Sequence, residues 1–570
     1  MKRKLLAVIC SVVMAMTMCV GVAFAAEGET PAPATPTTKY AAFQVFVGAY
    51  DSTSETLSDV EWGSGVEPSG LVTALKADDS FTVNGTNAFS AVNYDSDDAN
   101  KSAAEIAKIL GENTAKKDAA EANDEEKASA KAFAEAFAKV AANHTIGEGI
   151  AATAGTDNKV SFIPSAAGYY LIKNTDTAAG DTQTQIILEV KEASDTLISV
   201  TLKKDTPTLE KKVKEEDKAV TTVEGKNYGD KYNDVADYAI GEHVPFELIG
   251  TIPTNYAEYK AYKYKFTDTM SDGLTFDEDS LSVYVMNADG DPDSTGTSLV
   301  KNTDYTFART GNSFTVEFTN LKGVTSVTAG SKIVVRYTAT LNDKAKAGNS
   351  VGNTNEASLT FSNNPNDGGE GVTTSQPDKV IVFTYTLNVN KVNGSDADKP
   401  LAGAKFGLYS DAACTTPINI TAVDEGANTY KLDLDAVEPN SNEFVSAADG
   451  NIHVIGLDSG TYYLKEIEPP AGFNTLENPV ITLEIKATTV NDQNWDEFIP
   501  SAALTKLELG SNQQDVENGT VEQKIQNFKG SVLPSTGGIG TTIFYVVGAC
   551  LVVIAGVALV AKRRAAARRK

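Results

Sequence analysis

Short stretches in which apolar and polar residues alternate recur along most of this chain, bordered by Gly, Asn and Asp. Residues 262–266, 331–337 and 387–391 are examples. Because the side chains of a β-strand point alternately to its two faces, this period of two predicts strands with one buried face. The turn residues at the borders predict tight connections between them. The pattern therefore predicts an all-β protein made of tandem immunoglobulin-like β-sandwich domains.

One stretch departs from this pattern, residues 101–143, which are rich in Ala, Glu and Lys. Its larger apolar residues follow helical spacing, and they are Ile106, Ile109, Leu110, Phe133, Phe137 and Val140. This spacing predicts one or two amphipathic helices whose charged side faces solvent. We expect them to be an insertion in the first domain.

The N-terminus carries an export signal. Lys2, Arg3 and Lys4 precede an apolar run, which ends in a small-residue cleavage site at 23–26. This order of parts predicts a secretory signal peptide over residues 1–26.

The C-terminus has three parts in a fixed order. Leu533, Pro534, Thr536 and Gly537 belong to an LPSTG sequence, which is followed by an uncharged apolar run at 541–561 and a basic tail. Such a run is long enough to span a bilayer, and the adjacent positive charge marks its cytoplasmic side. The arrangement resembles the LPxTG cell-wall sorting signal of Gram-positive bacteria.

This resemblance implies a sortase as partner. The enzyme would cleave after Thr536, release Gly537 and the residues beyond it, and pass the chain to an amine. An amine of the peptidoglycan precursor would give a wall-anchored protein, whereas a Lys of another subunit would give a covalent polymer.

Composition narrows the function further. The chain has 570 residues, which predicts three or four domains, and a formal charge of −27. The two ends outside residues 27–536 carry nine positive charges and no acidic residue, so the mature span carries −36. This acidity argues against nucleic acid as a partner. Three His and four Cys argue against a zinc site, and an acidic loop at 289–293 lacks a full set of calcium ligands, so we predict no metal and no cofactor.

Linker-like stretches divide the body of the chain. Thr206-Pro207-Thr208 and the Pro- and Gly-containing residues 363–377 separate three predicted domains. The predicted organisation is a signal peptide (1–26), an N-terminal domain (39–204), a second domain (205–378), a third domain (379–530) and the sorting signal (533–570).

The third domain contains Tyr462-Tyr-Leu464-Lys-Glu466-Ile-Glu-Pro-Pro-Ala-Gly-Phe, which resembles the E-box of Cna protein B-type domains in pilins. In that family a Glu promotes an amide (isopeptide) bond between a Lys of the first strand and an Asn of the last. Alternation places Lys391 and Asn527 on the apolar faces of the first and last strands, as it does Glu466. The resemblance therefore implies a Lys391–Asn527 bond promoted by Glu466.

The chemistry accounts for these residue types. Burial lowers the pKa of a Lys and yields a neutral, nucleophilic amine, whereas it raises the pKa of a carboxylic acid, which can then polarise an amide carbonyl and move protons. Strands that hold the groups together supply a high effective molarity. The alternative is a simple buried salt bridge between Lys391 and Glu466, which leaves Asn527 as an unexplained third polar group.

The second domain resembles the fimbrial isopeptide-formation domain of pilin backbones, which uses a Lys, an Asp and an Asn. Alternation turns Lys211 inward beside Leu209 and Val213, and Asp268 and Asn355 lie on similar apolar rows. The resemblance implies a Lys211–Asn355 bond promoted by Asp268. The alternative is that these are ordinary polar residues at strand edges. If the register of a strand differs from the predicted one, Lys212, which is predicted to face outward, would replace Lys211, and Asn353 would replace Asn355.

Backbone pilins carry an acceptor Lys at the end of the first domain, where this chain has Lys203 followed by Lys204. The resemblance therefore implies a structural pilus subunit, joined by pilus-specific and housekeeping sortases to identical subunits, to minor pilins and to peptidoglycan. It also implies a role in adhesion, with a host surface receptor as a further partner. The alternative is a monomeric wall-anchored adhesin, and no motif predicts an enzyme beyond the single-turnover crosslinking.

Overall fold

The computed structural model describes residues 38–51, 56–114, 122–155, 158–178, 180–193, 197–202, 205–215, 232–287, 296–348, 352–365, 371–423, 428–433, 441–490, 503–529, 546–558 and 562. Three β-rich units follow one another along them. We call these the N-terminal unit (38–202), the central unit (205–383) and the C-terminal unit (385–529). The prediction of an all-β chain of tandem domains with a helical insertion is confirmed.

The N-terminal unit combines one large sheet with helices. Its elements are β1 (Lys39–Asp51), β2 (Thr56–Trp62), α1 (Pro68–Ala77), a 3₁₀ turn (Asp79–Phe81), β3 (Thr82–Val83), β4 (Thr86–Asn87), α2 (Ala99–Thr114), α3 (Asp124–Ala142), β5 (Ile150–Ala154), β6 (Lys159–Phe162), β7 (Gly168–Asp176), β8 (Gln185–Val190) and β9 (Ile198–Thr201). The sheet order is β8-β7-β1-β5-β6-β9, and β2 pairs with β1 off this path. The central strand β1 is buried on both faces, because Phe43 and Val45 pack against the helices and Tyr40 and Ala42 pack on the other side.

Helices α2 and α3 occupy the stretch that helical spacing predicted, whereas α1 was not predicted. A capping box, in which the side chain of Asn123 and that of Glu126 each bind the other's backbone N–H, begins α3. Helix α1 begins at Pro68, with the Glu67 carboxylate accepting from the first backbone N–H groups. These capping residues were the available sequence signal for α1.

One half-buried carboxyl in this unit makes its stability depend on pH. Burial raises the pKa of Glu189 on β8 to about 7, against the opposing effect of the Lys191 ammonium. Because this pKa is higher in the folded than in the unfolded chain, the contribution of Glu189 to the free energy of unfolding is greatest below the unfolded-state pKa, near 4.5, and is lost as pH rises through about 7. Because of this group, the free energy of unfolding of the native chain should fall by about 1–3 kcal/mol between pH 4.5 and 8, and Glu189→Gln should remove that fall. The measurement is denaturant unfolding at several pH values. Equal pH dependence in the variant and the native chain would contradict this.

The central unit is a sandwich of two sheets. Its elements are β10 (Leu209–Lys214), β11 (Tyr232–Asn233), β12 (Val235–Asp237), β13 (His243–Thr251), a 3₁₀ turn (Thr254–Glu258), β14 (Tyr264–Met270), β15 (Leu274–Met286), β16 (Thr297–Ser298), β17 (Thr306–Thr310), β18 (Ser313–Phe318), a 3₁₀ turn (Leu321–Gly323), β19 (Lys332–Leu341), β20 (Asn353–Ser362), β21 (Val372–Thr374) and β22 (Asp378–Phe383). One sheet has the order β11-β10-β13-β19-β15-β16 and the other β12-β22-β20-β14-β18-β17, with β21 paired to β20. Strand pairing in this unit thus continues to Phe383, which pairs with Asp237 of β12.

The C-terminal unit is a second sandwich. Its strands are β23 (Tyr385–Asn393), β24 (Asp396–Pro400), β25 (Lys405–Tyr409), β26 (Ile420–Ala422), β27 (Thr429–Leu432), β28 (Glu443–Val445), β29 (Asn451–Leu457), β30 (Gly460–Glu468), β31 (Val480–Thr489), β32 (Leu504–Leu509), β33 (Asn512–Gln513) and β34 (Thr520–Asn527). One sheet has the order β24-β23-β29-β27-β26 with β34 on β23, and the other β28-β25-β30-β31-β32-β33. The first strand and the last, β23 and β34, are parallel neighbours, which brings the two ends of the unit together.

Beyond this unit, residues 546–558 are helical, and they belong to the apolar run at 541–561. Within the described ranges, no helix is both long enough and apolar enough to cross a membrane.

Candidate functional sites

The central unit brings the three predicted residues together across the sandwich. Lys211 lies on β10 in one sheet, and Asp268 and Asn355 lie on β14 and β20, which are neighbours in the facing sheet. Their inward orientation follows from the strand period, since Leu359 and Phe266 on the same faces are also buried. Each of the three polar side chains is 0% exposed.

A fourth group, Tyr337 on β19, completes this cluster. The Lys211 ammonium forms an ion pair with Oδ2 of Asp268 and donates to the Tyr337 hydroxyl oxygen at 2.9 Å. The Tyr337 hydroxyl donates to Oδ2 of Asp268 at 2.8 Å and accepts from Nδ2 of Asn355 at 2.7 Å. Within the described chain, Oδ1 of Asp268 and Oδ1 of Asn355 have no hydrogen-bond partner. Tyr337 therefore connects the nucleophile, the acid and the amide.

Burial sets the electrostatics of the central cluster. It lowers the pKa of Lys211 against the opposing charge of Asp268, and it raises the pKa of Asp268 against the opposing charge of Lys211. The rings of Phe246 and Tyr337, each 5.4 Å from Nζ of Lys211, form apolar walls around the amine. Both shifts favour transfer of the ammonium proton to the carboxylate, which leaves a neutral amine beside a carboxylic acid.

The two register alternatives occupy other sites. Lys212 was predicted to face outward, and this is wrong: it is 6% exposed and forms a buried ion pair with Asp234. Asp234, between β11 and β12, covers Lys212, so β10 is buried on both faces at this position. Asn353 donates to the backbone carbonyls of Lys346 and Val382 at 3.0 and 3.1 Å, which satisfies its amide away from Lys211.

The C-terminal unit brings its three predicted residues together by a different route. Lys391 on β23 lies opposite Ile525 on the parallel strand β34, so Asn527 is two residues further along the same face. Glu466 comes from β30 of the facing sheet. All three are at most 2% exposed.

In this cluster the acid reaches both other groups directly. Nζ of Lys391 is 3.0 Å from Oε1 of Glu466, so the two groups form an ion pair. The amine is not oriented to donate a hydrogen bond to this oxygen. Nδ2 of Asn527 donates to Oε2 of Glu466 at 3.2 Å and to the backbone carbonyl of Asn474 at 2.5 Å. Burial lowers the pKa of Lys391 against the opposing charge of Glu466, which again favours the neutral amine.

The E-box residues build this site around Glu466. Gly472 has φ of 85°, a left-handed conformation that favours glycine, in the turn after β30. The chain then returns over the cluster, where the backbone N–H of Leu476 donates to Oε2 of Glu466 at 3.1 Å. The Tyr462 hydroxyl donates to the backbone carbonyl of Asp458 at 3.0 Å, which holds the start of the same strand.

Sequence reasoning missed Tyr337 and the backbone carbonyl of Asn474. Tyr337 follows Ile333 and Val335 on the inward row of β19, so its burial was predictable. A buried Tyr hydroxyl needs a partner, and that requirement was the available signal. The period of a strand does not say which residues face it across a sandwich, so its place between Asp268 and Asn355 was not predictable.

Other predicted functional residues lie outside the described part of the chain. These are Lys203 and its alternative Lys204, the sorting residues Leu533, Pro534, Thr536 and Gly537, and the acidic loop at 289–293. The positions that flank the lysine pair are described: Leu202 is buried in the N-terminal unit, and the Asp205 carboxylate accepts from Thr254 N of the central unit at 2.7 Å. The lysine pair thus falls at the junction of these two units.

Three parts of the chain match models of known families. Residues 240–365 match the Gram-positive pilin backbone subunit 2, Cna-B-like domain; residues 385–497 match a prealbumin-like fold domain; residues 526–566 match the LPXTG cell wall anchor motif.

Individual proteins are also similar. The trypsin-resistant surface T6 protein of Streptococcus pyogenes serotype M6 is 26% identical over 385 residues, which cover 57% of this chain and 66% of the relative, slightly under two thirds of its length. The solved T6 backbone pilin of Streptococcus pyogenes is 18% identical, with a TM-score of 0.45, and the match covers 87% of this chain and 96% of that one. The pilus 2b backbone protein of group B streptococcus is 24% identical, with a TM-score of 0.36, covering 52% and 97%.

The family matches confirm the predicted resemblance to Gram-positive backbone pilins and the predicted address, a pilus protein anchored in the cell wall at the bacterial surface. The matched family is one of structural proteins, which agrees with the prediction that the chain is not an enzyme.

Proposed function

We propose that this chain is the repeating shaft subunit of a covalently polymerised pilus, and that its central and C-terminal units are each closed by a self-formed Lys–Asn isopeptide bond. The observation that carries the proposal is the buried cluster of Lys, acid and Asn in two consecutive sandwiches. In each, the Lys lies on the first strand of the unit and the Asn on one of the last strands. A bond there joins the beginning of a unit to its end.

The proposed reaction follows from the contacts in the C-terminal unit. Lys391 gives its ammonium proton to Glu466, and the neutral amine attacks Cγ of Asn527. The protonated acid donates to the amide, so that the carbonyl becomes more electrophilic and the departing nitrogen receives its proton. The Lys391 Nζ–Asn527 Cγ bond forms, the Asn527 Cγ–Nδ2 bond breaks and ammonia leaves. A second proton then passes from Nζ of Lys391 to Glu466, which ends as the neutral acid.

Burial supports this reaction in both units. A buried charged pair is costly, because desolvating two ions offsets much of their attraction. Conversion to an uncharged amide removes that cost and leaves a covalent link. The oxygen atoms that lack partners within the described residues, Oδ1 of Asp268, Oδ1 of Asn355 and Oδ1 of Asn527, are the positions to which a shared acid proton would bind.

Sortase chemistry supplies the links between subunits. We propose that a pilus-specific sortase joins the carbonyl of Thr536 to Nζ of Lys203 in the next subunit, and that a housekeeping sortase attaches the finished polymer to peptidoglycan. The match of residues 526–566 to the LPXTG anchor motif supports Thr536 as the residue that sortase transfers. The position of the lysine pair at the junction of two units supports Lys203 as the residue that receives it. Minor pilins and a host surface receptor are the further proposed partners.

The acceptor residue is tested in cells that express the full chain with its sortases. We expect Lys203→Arg, which keeps the positive charge, to abolish the high-mass ladder on denaturing gels, because a guanidinium does not replace the amine in the linkage. Lys204→Arg is the matched control and should retain the ladder. The measurement is an immunoblot of the wall fraction.

Two further outcomes separate the shaft from a monomeric wall-anchored adhesin. In Lys203→Arg cells the monomer should still be attached to the wall, whereas Thr536→Ala should release it from both polymer and wall. Ladders that survive in both Lys variants would contradict the shaft assignment. A ladder lost in Lys204→Arg alone would place the acceptor at Lys204.

A further inference from the structure

We propose that Tyr337 is a catalytic residue of the central crosslink, whose hydroxyl passes a proton from Asp268 to the departing nitrogen of Asn355. This inference rests on the proposed isopeptide function and assigns a group that the Lys, Asp and Asn scheme leaves out. It comes from a difference between the two clusters in how the acid reaches the amide.

The difference lies in one methylene group. Glu466 contacts both reactants, at 3.0 Å from the Lys391 amine and 3.2 Å from the Asn527 amide nitrogen. Asp268 has a shorter side chain, and its Oδ2 meets the Lys211 amine and the Tyr337 hydroxyl. Among the described residues, the hydrogen bond of the Asn355 amide nitrogen goes to Tyr337, at 2.7 Å. The hydroxyl thus occupies the position that the longer acid fills in the other unit.

The proton balance can be written step by step. Lys211 transfers a proton to Asp268, and its neutral amine attacks Cγ of Asn355. The Tyr337 hydroxyl gives its proton to the Asn355 nitrogen while it takes one from Asp268. The Cγ–Nδ2 bond of Asn355 breaks and releases ammonia, and the remaining extra proton on Lys211 Nζ passes to Asp268. Tyr337 thus ends as it began, and Asp268, which began as a carboxylate, ends as the neutral acid.

The surroundings of Tyr337 suit this role. Its ring stacks on Phe246 at 5.4 Å and meets Phe314 edge-on at 5.0 Å, so the hydroxyl is held in place by the packing of the ring. Tyr337 is 2% exposed, which keeps bulk water from supplying the proton instead. Because a hydroxyl both donates and accepts, it can reverse its hydrogen bonds after the first proton transfer.

The test is Tyr337→Phe in the mature chain, residues 27–536, with intact mass followed over time after synthesis. The ring packing is kept, so we expect the C-terminal bond to form normally and the central bond to form about 10²–10⁴-fold more slowly, as expected when one proton-transfer group is lost. Tyr264→Phe is the matched control, because this buried Tyr also loses one hydrogen bond, to the Thr251 carbonyl at 2.9 Å, but contacts no reacting atom.

A rescue separates catalysis from support of the fold. Asp268→Glu in the Tyr337→Phe chain lengthens the acid by one methylene, so we expect it to restore central bond formation in the manner of Glu466. Site-specific replacement of Tyr337 by 3-fluorotyrosine keeps the shape of the ring and changes the acidity of the hydroxyl, so the rate should change and its pH profile should shift.

Formation of the central bond at the native rate in Tyr337→Phe would overturn the proposal. If Tyr337→Phe does not fold, an unchanged rate in the fluorotyrosine chain would overturn it. Absence of the central bond in the native chain itself is a different result, since that outcome contradicts the proposed function and not the role of Tyr337 within it.

Discussion

The mature chain, residues 27–536, is expected to be lighter than its sequence mass by two ammonia molecules when it is produced in a heterologous host without sortase. Each loss reports one amide bond, because attack of a Lys amine on an Asn carboxamide expels one ammonia. Asp268→Ala should restore the mass of one ammonia, and Glu466→Ala the mass of the other. The double variant should have the full sequence mass.

The measurement is intact-mass spectrometry, followed by peptide mapping to find the joined pairs Lys211–Asn355 and Lys391–Asn527. Asp234→Ala is the matched control, because it removes another buried acid of the central unit, one paired with Lys212. That variant should keep both losses, whereas Asp268→Ala should not. A native chain at full sequence mass would refute the crosslinks, and joined peptides containing Lys212 would move the central bond to the neighbouring residue.

Much of this arrangement was predictable because strand alternation is a local property. Lys211, Lys391 and Asn527 each share a face with apolar neighbours, and all three are buried as expected. The helices at 101–143 followed from their spacing in the same way. Alternation gives the face of a strand relative to its own neighbours, which is why these residues could be selected from a single sequence.

What the sequence could not supply was which elements face each other. Lys212 alternates with Lys211 and was therefore expected to face outward, but Asp234, 22 residues further along the chain, lies over it and buries it. The parallel pairing of β23 with β34 joins strands that lie far apart in the sequence, and no local pattern encodes it. Tyr337 belongs to the same class, since its role depends on three strands meeting across the sandwich.

The positions of the proposed bonds define how a pilus would carry force. Tension would enter a subunit at Lys203 and leave it at Thr536, so the N-terminal unit before Lys203 lies outside the path. Within the path, a Lys211–Asn355 bond bypasses most of the central unit and a Lys391–Asn527 bond bypasses most of the C-terminal unit. Load would therefore pass through the two amide bonds and through residues 356–390 between them, which include β21 and β22.

Pulling a single chain between positions 203 and 536 should give an unfolding extension of at most roughly 120 Å in the native protein, from the chain between Asn355 and Lys391 at about 3.4 Å per residue. Asp268→Ala should release roughly 500 Å in the central unit, since about 140 residues between Lys211 and Asn355 then extend at about 3.4 Å each. Glu466→Ala should release roughly 450 Å from the C-terminal unit by the same reasoning. The measurement is force spectroscopy, with one handle on Lys203→Cys in a Cys414→Ser background and the other attached by sortase at Thr536.

A handle moved to residue 39 provides the internal control, because the N-terminal unit then enters the path and should unfold even in the native chain. The same protein should therefore extend much further when it is pulled from residue 39 than when it is pulled from residue 203. Long extensions from residue 203 in the native chain would mean that the buried Lys, acid and Asn clusters remain ion pairs. In that case hydrogen bonds and packing alone would hold each unit of the shaft against the load that enters at Lys203.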